Sequence, residues 1–100
     1  MIYTVEILPE AGEQLRDLED YIASAATPAI ASGFVTEIVD ACSRLDTFPN
    51  RGTPRDDVRK GIRTIPFRRR TTIAYVVEDA RVVILGIYYG GQDWESRLSD

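Results

Sequence analysis

The chain has 100 residues, 44% of them apolar and 28% charged, with a net charge of −4. That size and balance describe one ordinary globular domain and exclude disordered or collagen-like chains. Histidine is absent and Cys42 is the single cysteine, so Ser-His and Cys-His catalysis, His-liganded zinc and an internal disulfide framework are excluded.

Charge divides the chain. Residues 1–50 hold nine acids and two bases; residues 51–100 hold ten bases and seven acids. Eight of those bases fall between Arg51 and Arg70 against only Asp56 and Asp57, a segment suited to phosphate or an acidic partner. No apolar run approaches the roughly 20 residues of a membrane-spanning helix, and the first residues carry no basic leader pattern. The expected compartment is a reducing cytoplasm, with no membrane partner.

Residues 2–8 are β-rich and partly alternating, which predicts a first strand. Pro9 ends it and suits the first turn of a helix over residues 9–26. Ala11, Leu15, Leu18, Ile22 and Ala25 form one stripe on that helix, and Glu13, Asp17, Glu19 and Asp20 an acidic outer face. Asp17 and Asp20 lack further ligands for a metal. Thr27-Pro28 reads as a cap followed by proline, opening a second helix over residues 28–47. Its stripe is Ile30, Phe34, Ile38, Ala41, Leu45 and Phe48, widened by Val35, Val39 and Cys42. Cys42 among such neighbours is a small buried hydrophobe. The two helices should form an antiparallel hairpin.

Residues 49–54 read as loop. Strands follow over residues 62–67, 71–78 and 82–89, with Pro66 marking an edge or bulge. The last is nearly all apolar, as expected of a strand covered on both faces. Gly90-Gly91 ends it, and Asp93 can cap a short helix over residues 94–98. The order β-α-α-β-β-β predicts a two-layer α+β domain: an antiparallel C-terminal meander with the helical hairpin on one face of the sheet.

Chemistry is sparse. No phosphate-binding glycine loop and no zinc spacing occur, and no cofactor is implied. What remains is arginine with aromatics: Arg63, Arg68, Arg69 and Arg70 beside Tyr75, Tyr88, Tyr89 and Trp94. Guanidinium forks hold phosphate, rings stack on bases, and the same residue types dominate protein interfaces.

Several pieces recur in a known order. They are Tyr3-Thr4-Val5; Ala11-x-x-x-Leu15-x-x-Leu18-x-x-Tyr21-Ile22; Leu45-x-x-Phe48-Pro49-x-x-Gly52; Val58-Arg59-x-Gly61-Ile62-Arg63-x-Ile65-Pro66-Phe67; Ile73-Ala74-Tyr75-x-Val77; and Val83-Ile84-Leu85-x-Ile87-x-Tyr89-Gly90-Gly91-Gln92-Asp93. Together they resemble the ParE branch of the RelE/ParE toxin superfamily of type II toxin–antitoxin systems, over essentially the whole chain. The resemblance implies the β-α-α-β-β-β fold, growth arrest by poisoning DNA gyrase without enzymatic chemistry, and a ParD-like antitoxin that folds over the toxin. Operator DNA would be met only through that antitoxin.

Arg63, Arg68, Arg69, Arg70, Tyr89 and Trp94 are then the target-binding candidates. Glu13, Asp17 and Asp20 are candidates for selecting a basic antitoxin segment. The RelE branch implies an alternative, a ribosome-dependent mRNA endoribonuclease with Arg63, Arg70 and Tyr89 in its site. Against it, Tyr89 stands where many ParE-like chains have His, and Gly86 and Gly91 where many have Arg. A third reading is a non-toxic co-repressor that only binds antitoxin.

Overall fold

The computed structural model describes residues 2–68, 70–90 and 92–99. Strand β1 (Thr4–Ile7) leads into helix α1 (Pro9–Ala25), then α2 (Pro28–Ser43), a two-residue strand β2 (Thr53–Pro54), β3 (Ile62–Phe67), β4 (Thr71–Glu78), β5 (Arg81–Tyr89) and a short helix α3 (Trp94–Leu98). The strands form one mixed sheet in the order β1-β5-β4-β3-β2. β3, β4 and β5 are the expected antiparallel meander, and β1 lies parallel to β5. The expected two-layer α+β arrangement is present, with the helical hairpin and the sheet sharing one apolar core.

Local chemistry sets the helix boundaries. Pro9 occupies the first turn of α1, where its missing N–H costs nothing. Thr27 caps α2, its Oγ1 accepting from Ile30 N at 3.1 Å. Ala11, Leu15 and Leu18 from α1, and Ile38, Ala41 and Cys42 from α2, press on Ile65, Ile73, Tyr75, Val82, Ile84 and Ile87 of the sheet.

Helix α2 is shorter than its apolar spacing predicts. It ends at Ser43 and tightens into a 3-10 turn over Arg44–Asp46. The tightening keeps Leu45 fully buried and delivers the Asp46 carbonyl to Tyr3 N at 2.8 Å, tying the helix end to β1. Two members of the predicted stripe leave the core: Ile30 is 57% exposed and Phe48 66% exposed. Ile30 stands in the first turn of α2, away from the sheet. Phe48 precedes Pro49, which pushes it out of helical geometry and off the stripe. Residues 49–54 are also more ordered than their loop composition predicts: Pro49–Arg51 make a 3-10 turn, and β2 pairs with Arg63 and Thr64. Pro66 lies past the reach of β2, so among the described residues this stretch of β3 has only β4 as a neighbour.

One feature of β5 escapes the alternation rule. Ala74 pairs with Gly86, but Tyr75 pairs with Ile84, so Leu85 is an extra residue in the ladder. Before this bulge the core side of β5 is Val82 and Ile84; after it, Ile87 and Tyr89. Tyr88 therefore falls on the outer face, where its ring folds over Gly86. A Cβ at Gly86 would lie 2.3 Å from the Tyr88 hydroxyl oxygen, so glycine is required here by the tyrosine two residues on.

Candidate functional site

The β3–β4 turn and the end of β5 gather the aromatic and arginine residues at one corner of the molecule. Rings run in a row from Phe67 to Phe34 (5.5 Å between centroids, edge-on), from Phe34 to Tyr89 (6.3 Å, edge-on) and from Tyr89 to Tyr21 (6.0 Å, tilted). Such edge-on geometries suit the ring quadrupole. Arg68, in the left-handed region at φ 55°, lays its guanidinium over Phe34 and Phe67 at 5.4 and 5.6 Å and pairs with Glu37. Arg70 stacks on Tyr89 at 5.6 Å, and its carbonyl accepts from Gly90 N at 2.6 Å. Gly90 itself needs a positive φ of 70°.

Beside the row is a pocket of about 430 Å³. Helix α1 supplies Gln14, Asp17, Leu18 and Tyr21 to its lining; Arg70, Ile87, Tyr89 and Gly90 come from the sheet and its ends, and Gln92 and Arg97 from the C-terminal segment. Both carboxamides are fixed by the free edge of β5. Ile87 N donates to Gln14 Oε1 at 2.7 Å, and Tyr89 N donates to Gln92 Oε1 at 2.8 Å. Beyond Ile84 the strand has no β1 beside it, so these side chains complete its hydrogen bonding.

Of the residues expected from sequence, Arg70, Tyr89 and Asp17 meet at this pocket, and Arg68 flanks it. Arg69 lies outside the described residues. Glu13 and Asp20 are exposed on α1 and do not line the pocket. Arg63 lies elsewhere. It is four residues back along β3 from Phe67, roughly 13 Å of strand. Its Nη1 donates to the carbonyls of Asn50 (3.1 Å) and Gly52 (2.8 Å).

Beside it, the fully buried Tyr75 donates its hydroxyl to Pro49 O (2.8 Å) and accepts from Gly52 N (3.0 Å). Two sheet side chains thus hold the backbone of the 49–52 turn. Burial raises the Tyr75 pKa, partly offset by the Gly52 N–H and the nearby Arg63.

Trp94 lies with Tyr88 on the outer face. It stacks on that ring at 6.5 Å and carries Arg55 over its own face at 5.0 Å. Arg55 is held by Asp57 and Glu95, and this lowers the Asp57 pKa. Asp93 caps α3 through Ser96, whose hydroxyl and N–H hold the Asp93 pKa below the ordinary carboxylate value. Tyr88 has its pKa raised by burial, against the hydrogen bond from Gln14.

The pocket residues missed from sequence are Gln14, Tyr21, Gln92 and Arg97. Gln14, Asp17, Leu18 and Tyr21 stand at helical spacing, so the α1 wall was readable as one face. Gln92 belongs to the recurring terminal motif, but its part depends on the strand edge left open above Ile84.

The family model described as ParE toxin of type II toxin–antitoxin system matches residues 5–94. Among solved structures, the chain is similar to one from a chromosomal ParDE toxin–antitoxin system of P. aeruginosa. The TM-score is 0.79 at 22% identity, covering 89% of this chain and 97% of that one. It is also similar to a chain of the RelBE2 toxin–antitoxin complex of Mycobacterium tuberculosis, with a TM-score of 0.67 at 22% identity over 89% and 99% of the two chains. Among proteins of curated function no relative is found.

Proposed function

The chain belongs to the ParE toxin family of type II toxin–antitoxin systems, and from that premise we propose that it arrests growth by binding DNA gyrase, in the cytoplasm, until a ParD-like antitoxin captures it. Its action is binding rather than catalysis. The observation that carries this choice over message cleavage is the placement of Arg63. A ribonuclease site would need Arg63, Arg70 and Tyr89 around one phosphate. Here Arg70 and Tyr89 are stacked together, while Arg63 is committed to the carbonyls of Asn50 and Gly52. Preorganised arginines on a ring row suit a macromolecular interface, where such residues supply most of the binding energy. The similarity to a ParDE system supports a ParD-like antitoxin, and the exposed Glu13, Asp17 and Asp20 suit a basic segment of it.

Two assays on the purified toxin test the reading: gyrase supercoiling with cleavage-complex trapping, and message cutting on programmed ribosomes. Supercoiling inhibition without cutting is expected. Cutting that disappears in Tyr89→Phe would replace this reading by the ribonuclease. Two negative results with tight antitoxin binding would leave a co-repressor.

A further inference from the structure

Most of the polar side chains that line the Arg70–Tyr89 pocket are donors, with Asp17 the one carboxylate among them. Each carboxamide oxygen is occupied by a β5 backbone N–H, at 2.7 Å for Gln14 and 2.8 Å for Gln92. A carboxamide held by its oxygen presents its NH2 group on the other side. Gln14 gives part of that capacity to the Tyr88 hydroxyl; Gln92 makes no such second contact among the described residues. Arg70 lies over the Tyr89 ring at 5.6 Å, and among the described residues its guanidinium donates no hydrogen bond. Arg97 adds a second guanidinium to the lining. Among the described residues neither arginine makes an ion pair, in a chain with more acids than bases. The pocket of about 430 Å³ is therefore lined by spare donor capacity on Gln92, Arg70 and Arg97, beside the single carboxylate of Asp17.

We propose that this pocket is a receptor for a carboxylate carried by a protein segment. The donors would take one oxyanion, and Leu18 and Ile87 would take the apolar groups beside it. Asp17, on the α1 wall, decides between sources of that oxyanion. It opposes the unbroken charge of a phosphodiester run and favours a segment that carries a basic residue beside the acidic one. The assignment does not depend on which macromolecule the toxin arrests.

The test is a titration of the full-length, 15N-labelled chain, read at the side-chain amide signals of Gln14 and Gln92. Three probes are compared: a blocked Leu-Glu-Lys-Leu peptide, its Leu-Gln-Lys-Leu counterpart, and hexathymidylate. The glutamate peptide should give saturable shifts at both amides, and the glutamine peptide should bind about tenfold more weakly, the loss of one charge-assisted pair. Arg70→Gln should show the same loss, and Arg97→Gln repeats the measurement if the first variant does not fold. Equal binding of the two peptides, tighter binding of hexathymidylate, or no movement of either amide at the highest peptide concentration would each overturn the assignment.

Discussion

The turn held by Tyr75 and the pocket lined by Tyr89 use the same residue types to opposite ends. Around the 49–52 turn, a tyrosine, an arginine and a glycine spend their hydrogen bonds inside the chain. Pro49 O, Asn50 O, Gly52 N and Gly52 O are all met by Tyr75 or Arg63. Around the pocket stand two tyrosines, two arginines and a glycine, and among the described residues neither guanidinium donates a hydrogen bond. The first region converts side chains into fold stability, the second into recognition. The comparison shows that an arginine's type and its place in a motif do not reveal its task; its acceptors do.

The comparison breaks most visibly at Gly52. An added Cβ there would sit 2.5 Å from the Tyr75 hydroxyl and 2.9 Å from Thr64 O. Gly52→Ala should cost about 3 kcal/mol in urea unfolding, because backbone cannot give way and the tyrosine must surrender its partners. Tyr75→Phe comes next, at about 2 kcal/mol, from an acceptor and a donor left buried and unpaired. The arginines then separate the regions. Arg63→Ala should cost about 1–2 kcal/mol of stability, whereas Arg70→Ala should change it by less than about 0.5 kcal/mol. In a growth assay the order should invert, with Arg70→Ala losing toxicity although its unfolding midpoint is unchanged. Equal stability losses for the two arginines would erase the distinction.

A last effect shows only at alkaline pH. Burial pushes the Cys42 thiol from 9.0 up to about 12. The folded state therefore keeps a proton that the unfolded state releases, so this group's contribution is complete below pH 9.0 and is lost as pH rises toward 12. Cys42→Ala should flatten part of the high-pH fall in the urea midpoint. Tyr75 and Tyr88, whose pKa values are also raised, keep the remainder.

Much of the fold is legible from periodicity. The α1 stripe, the Thr27-Pro28 break and the three-strand meander each follow from local spacing and capping chemistry. Features set by contacts distant in sequence are not legible. Helix α2 stops at Ser43 because Asp46 is drawn to Tyr3, and β2 exists because Arg63 and Thr64 lie opposite it. The candidate site divides in the same way. Arg70 and Tyr89 stand out by type, and Asp17 by its helix face. Arg63 stands out equally and turns inward, because its carbonyl partners come from a turn 11 and 13 residues earlier.

The single surplus residue at Leu85 has a consequence for how such a corner can diversify. It sets the phase in which the end of β5 is displayed, so that Tyr89 joins the arginines while Tyr88 goes to Trp94. Removing one residue there would exchange the two tyrosines between faces without altering either. A lineage carrying this strand can thus rewrite its recognition surface by an insertion or deletion, a route that position-by-position comparison of aligned side chains would miss.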